Sequence, residues 1–230
     1  MKNKLYTAVG ILRTPNTTNS KESPMVTING KEYILDLHEM VLWCVLNWRI
    51  LSLNETLEFY KQKQNQLGLD IEKSFNTALE RLIQRGLIAV GSGETPADAL
   101  YDLLSELYIV PISENIILRT ISFVKLTFIN KVPFSTTKQV FGFDKRTEDE
   151  KKVMKLAKQS LLSTAEIIKC VESGKITFNS EEQVMDTIYH DELTTCDNIA
   201  ESSRNMNSCR SVLKAVSNLL LRRQIVLERV

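Results

Sequence analysis

Six residues near the C-terminal end have types and spacing suited to contact with anions and base edges: Arg204, Asn207, Arg210, Ser211, Lys214 and Arg222. Arg210, Lys214 and Arg222, in steps of four and eight, return to one side of the predicted helix, and Arg204 and Asn207 lie in the short turn RNMN that leads into it. Arg and Lys on such a face neutralise phosphates, while Arg and Asn carry the donors and acceptors that read base edges. Arg210 and Lys214, one turn apart, are expected to make the principal contacts, with Arg204 and Arg222 on flanking phosphates. Between residues 192 and 230, Arg204, Arg210, Lys214, Arg222, Arg223 and Arg229 stand against Glu192, Asp197, Glu201 and Glu228. The basic surplus is mild and local. It predicts double-stranded DNA held by one helix, and no broadly basic surface.

The whole chain gives no such signal. Its 230 residues carry a formal charge of +1, which offers no long-range attraction to nucleic acid or to a membrane. A hydrophobic content of 43% with 25% charged residues is that of an ordinary globular protein. Cys44, Cys170, Cys196 and Cys209 form no CxxC pair, and His38 and His190 are far apart, so no metal site is expected. The segment GSGETP lacks the Lys and Ser/Thr of a phosphate-binding loop, and neither GxSxG nor HExxH occurs. The expectation is a protein without catalytic residues, cofactor or metal. The start MKNKLYTAVG is too short and polar for a secretion signal, and no run reaches the roughly 20 apolar residues of a membrane span. A cytoplasmic protein is expected.

The elements that must position the six residues come in two similar series. Strands are predicted over residues 5–12 and 25–35, the second folded into a hairpin at Asn29 and Gly30. Asp36 with Glu39 and Ser52 with Glu55 have capping-box spacing and open two helices. A third helix, 71–85, stops at Gly86 and gives way to the strand LIAV. Thr95 and Pro96 open a further helix, and YIVPI is another strand. Residues 116–129 fit strand and helix alike, and 130–145 have the composition of a boundary.

Thr147 with Glu150 and Ser163 with Glu166 then open two more helices. SEEQVMDTIYH and TTCDNIAESS follow, the latter as a brace for a long helix over 208–222, and QIVLERV is a closing strand. Ala78, Leu82, Ile83, Arg85 and Ile88 fall opposite Ala215, Leu219, Leu220, Arg222 and Ile225. The predicted organisation is a strand pair with a helical module over 1–130, a linker over 131–147 and a helical module over 148–230. The fold class is α+β, mostly helical.

LERLIQRGLI at 79–88, with the short helices before it, resembles the winged-helix domains of bacterial transcription regulators; the C-terminal end is similar over a shorter stretch. The resemblance implies two winged-helix-like modules, DNA binding, and a homodimer matched to a palindromic site. The helix ADALYDLLSEL departs from that pattern, since it stands where a second wing strand is usual. MVTINGKEYILD followed by LHEMVLW and LERLIQRGLI is also similar to the peptide-recognition domain of ribosomal peptide modification systems. That resemblance implies a non-enzymatic adaptor binding a peptide or protein, with the peptide added as a strand beside Tyr33, Ile34 and Leu35. The helix from Ile71, with Lys73 and Asn76, would flank it.

Overall fold

The computed structural model describes residues 2–13, 24–68, 75–112, 146–190 and 194–229. The expected linker over 131–147 falls outside them except for Arg146 and Thr147, and so do the ambiguous residues 116–129. The fold is mixed α+β and mostly helical, with small antiparallel sheets, as expected. The first series runs β1 (Asn3–Ala8), β2 (Ile11–Arg13), β3 (Met25–Ile28), β4 (Lys31–Ile34), α1 (Leu37–Leu46), β5 (Leu51–Ser52), α2 (Leu53–Leu67), α3 (Phe75–Gln84), β6 (Ile88–Gly93) and α4 (Pro96–Leu104). The second runs β7 (Tyr108–Pro111), α5 (Glu148–Gln159), α6 (Thr164–Glu172), α7 (Glu181–Ile188), α8 (Ile199–Ser203), α9 (Cys209–Leu221) and β8 (Ile225–Glu228).

Local chemistry sets the element ends. All four capping boxes form: Asp36–Glu39, Ser52–Glu55, Thr147–Glu150 and Ser163–Glu166, each with reciprocal side-chain and backbone bonds. The β3–β4 hairpin turns through Asn29 and Gly30, both at positive φ, the conformation that matches strand twist in a two-residue loop. The expected strand over residues 5–12 is broken in two. Gly10, at φ +91°, sends β1 to one sheet and β2 to another.

The two series are one unit built twice, down to the strand register. In the first, Leu5 pairs with Ser52, the N-cap of α2, and Ala8 pairs with Ile88 at the start of β6. In the second, Tyr108 bridges Ser163, the N-cap of α6, and Pro111 pairs with Ile225 at the start of β8. Both pairs are three residues apart along their strand. One residue on, the Val9 N–H donates to Leu87 O at 3.0 Å and the Ile112 N–H to Gln224 O at 2.9 Å. The long helices end alike too: Leu87 N–H bonds Leu82 O at 2.8 Å, and Gln224 N–H bonds Leu219 O at 2.9 Å. A left-handed residue makes each turn, Gly86 at φ +72° and Arg223 at φ +57°.

Two expected assignments change as a result. Strand β7 lies inside the expected first module, yet its hydrogen bonds go to β8, placing it in the second unit's sheet. The helix that takes in the second unit the place of α2 is α6, whereas α8, the expected brace, has only five residues. Helices α7 and α8 are additions between α6 and α9.

The units share one core. Leu42, Leu46, Leu82 and Ile88 of the first belong to the same buried cluster as Val212, Val216, Leu219 and Leu227 of the second. A backbone bond from Gly10 N–H to Leu227 O, 2.8 Å, ties β2 to β8 across the seam. No helix among the described residues is long and apolar enough to cross a membrane.

Candidate nucleic-acid interface

Helix α9 buries Val212, Leu213, Ala215, Val216, Leu219 and Leu220 and leaves Arg210 and Lys214 in solvent. The six predicted residues do converge on this helix and its approach. The fold, however, has engaged three of them with acids.

Arg204, half-exposed, donates to Asp98 at 3.0 Å and lies 5.5 Å above the Tyr101 ring, both on α4. The Thr95 hydroxyl and then this guanidinium hold the Asp98 carboxyl below the usual carboxylate range. Asn207 donates its amide to Glu172 at 3.1 Å. The other Glu172 oxygen accepts the Ser208 N–H at 2.8 Å, and that bond chiefly holds the Glu172 carboxyl down. A carboxylate therefore occupies the start of α9, where the unpaired N–H groups of a helix end would otherwise attract a phosphate. Ser211 bonds back to the Ser208 carbonyl at 3.1 Å.

Arg222 is a structural residue. Its guanidinium donates at 3.0 Å to Glu150, which is fully buried, and the Asn218 amide takes the other Glu150 oxygen at 3.0 Å. The first unit has the same device, for Arg85 donates to buried Glu39 at 2.9 Å. Glu39 and Glu150 are the glutamates of the α1 and α5 capping boxes. The alignment of Arg85 with Arg222, together with the two capping-box glutamates, is the sequence signal for this clamp.

Arg210 and Lys214 remain. Neither makes a hydrogen bond or ion pair among the described residues, and they face two shallow clefts. One, about 410 Å³, lies toward Asp98 and Tyr101 of α4. The other, about 430 Å³, lies toward Asp149, which is 3.7 Å from Lys152.

The second expected surface is at β4. Leu35 N–H donates to Pro24 O, so alternation along an antiparallel pair turns the N–H and C=O groups of Glu32 and Ile34 to the outer edge. That edge pairs with no strand among the described residues, and Ile34 is 64% exposed. Arg85 already fills one edge acceptor, donating to Ile34 O at 2.6 Å with its guanidinium 5.7 Å from the Tyr33 ring. Asn76 is exposed on α3; Lys73 and Ile71 lie outside the described residues.

No group of three or more His, Cys, Asp or Glu among the described residues is placed to hold a metal ion. His38 Nδ1 is 3.1 Å from the Tyr60 hydroxyl, a half-buried pairing within the α1–α2 packing. Compared with protein-family models, curated proteins and solved structures, the chain matches none of them.

Proposed function

We propose that this chain is a cytoplasmic DNA-binding regulator of winged-helix type, whose helix α9 lies against a major groove. The observation that carries the reading is the pair Arg210 and Lys214, exposed one turn apart and without acid partners among the described residues. The repeat sharpens it. In the alignment that sets Arg85 against Arg222, Lys214 stands opposite Thr77 and Arg210 opposite Lys73, so of the pair only the Lys214 charge belongs to the second unit alone. The order of α9 followed directly by strand β8 supports a groove-docking role. Two units in one chain supply internally the duplication that a homodimer would supply between chains; light scattering distinguishes the two arrangements.

The test is a mobility-shift assay with DNA from upstream of the gene and an unrelated duplex, at two salt concentrations. Arg210→Ala and Lys214→Ala are each expected to weaken binding and to lower the salt slope by about one. Arg204→Ala, which removes a residue bound to Asp98, is expected to change the slope little. Full affinity after loss of both Arg210 and Lys214 would reject the reading.

The open β4 edge favours a second reading, a peptide- or protein-binding adaptor. Ile34→Pro removes an edge N–H without disturbing the pairing to β3. It is expected to abolish binding of a short peptide encoded beside the gene while leaving any DNA shift intact; binding that survives it would dismiss this reading.

A further inference from the structure

A cavity of about 570 Å³ lies between the units, where the end of α1, the start of β2 and the end of α9 meet. That volume is in the range of small-molecule sites. Its lining is mixed, with Leu12, Trp43, Leu221 and Val226 beside Cys44 and Asn47, and its only charged side chains among the described residues are Arg49 and Arg223. No Asp or Glu among the described residues lines it. Neither guanidinium has an acid partner among the described residues; Arg49 lies 4.9 Å from the Phe59 ring and Arg223 lies 5.0 Å from the Trp48 ring. Trp48, also in the lining, has an indole N–H that is buried and has no hydrogen-bond partner among the described residues.

The backbone at this place is strained. Trp48 at φ +58° and Arg223 at φ +57° are two of the three described non-glycine residues at positive φ, and both line the cavity. Such conformations are disfavoured for residues with a Cβ and gather at ligand clamps. The first unit makes the same helix-end turn with Gly86, so the turn itself does not call for an arginine. Arginine at 223 instead sets a guanidinium over Trp48 at the cavity.

We propose that this cavity binds a small anion with a flat apolar body, of the aromatic carboxylate or sulfonate class. The body packs on Trp48 and the apolar walls. The anionic head is held by Arg49 and Arg223. The site is at the opposite end of α9 from Arg210 and does not depend on the DNA-binding reading.

Trp43 and Trp48 are the chain's two tryptophans, so intrinsic emission reports occupancy directly. Titration with 8-anilinonaphthalene-1-sulfonate is expected to give saturable one-to-one quenching with energy transfer, and tighter binding than its uncharged counterpart N-phenyl-1-naphthylamine. Arg49→Gln and Arg223→Gln are each expected to weaken the sulfonate about tenfold, the worth of one charge-assisted bond, and to leave the neutral probe unchanged. Arg223→Gly separates a ligand role from a structural one: it relieves strain and removes the guanidinium, so it is expected to unfold no earlier than wild type yet bind the sulfonate more weakly. Absence of saturable quenching, equal affinity for both probes, or sulfonate binding unaltered by these variants would overturn the proposal. So would an Arg223→Gly protein whose binding falls only because it unfolds.

Discussion

Arg222 donates to the fully buried carboxylate of Glu150 at 3.0 Å, and so fastens the end of α9 to the first turn of α5. Glu150 serves two ends at once, since its side chain also accepts the Thr147 N–H of the α5 capping box at 2.9 Å. Arg85 and Glu39 repeat this clamp between α3 and α1.

Removing one partner leaves a buried charge without its counterion, which is strongly destabilising, though here the 32% exposure of the Arg222 side chain moderates the loss. Arg222→Ala is expected to lower the unfolding free energy by on the order of 3 kcal/mol in urea denaturation. A change below about 0.5 kcal/mol, the scale of an ordinary surface substitution, would show that no clamp exists.

Gly10 is the second point of tight constraint. Its φ of +91° disfavours any side chain, and a Cβ there would stand 2.6 Å from both Thr27 O and Ile28 Cγ1. Strain and overpacking add, so Gly10→Ala is expected to cost on the order of 3 kcal/mol and to loosen β2 from β8. Gly30, also at positive φ but with nothing within 4 Å, is the control: Gly30→Ala should cost about 1 kcal/mol. Equal thermal shifts for the two variants would contradict this.

Acid should destabilise the fold through named groups. Asp98 is held below the carboxylate range by Thr95 and Arg204, Glu172 by the Ser208 N–H, and Glu55 by the Ser52 hydroxyl. A carboxyl with a lowered folded pKa stabilises fully above its unfolded value, about 4, and loses that contribution as pH falls through the folded one. Glu228 is the reverse: burial raises it, so its contribution declines as pH rises through its folded pKa. Unfolding midpoints should therefore drop below about pH 4. Asp98→Asn and Glu172→Gln should flatten that limb, and Glu228→Gln should gain stability at neutral pH. An acid limb unchanged in the first two variants would refute the assignment.

The four cysteines are free, and their reactivity should divide by environment. Burial, reinforced by the nearby Glu166 charge, pushes the Cys170 thiol up to about 12, and burial raises Cys209 as well. Cys196 is exposed. A thiol reagent at pH 8 is expected to modify Cys196 promptly and Cys170 only after unfolding, because the thiolate is the reacting form. Peptide mapping that finds Cys170 modified in the folded protein as fast as Cys196 would refute this.

What could be read from the sequence was what neighbours decide. Capping boxes at Asp36, Ser52, Thr147 and Ser163, the Asn29–Gly30 turn and the stop at Gly86 depend on residues a few positions apart, and all formed. The pairing of Leu82 with Leu219 and Arg85 with Arg222 was equally legible, because helix periodicity and the turn after it repeat. Partners in space were not. That Tyr108 joins Ser163 and Glu228, and that Gly10 bonds Leu227, rests on contacts tens to hundreds of positions apart, which periodicity does not encode. The same holds for the charged face. Helical spacing sets Arg210, Lys214 and Arg222 on one surface, with Arg204 and Asn207 in the turn before it, since side-chain direction follows from local geometry. Only the packing of α4, α5 and α6 around α9 brought Asp98, Glu150 and Glu172 to three of them and left Arg210 and Lys214 in solvent, because an ion pair needs a distance, and the distance is set by the tertiary fold.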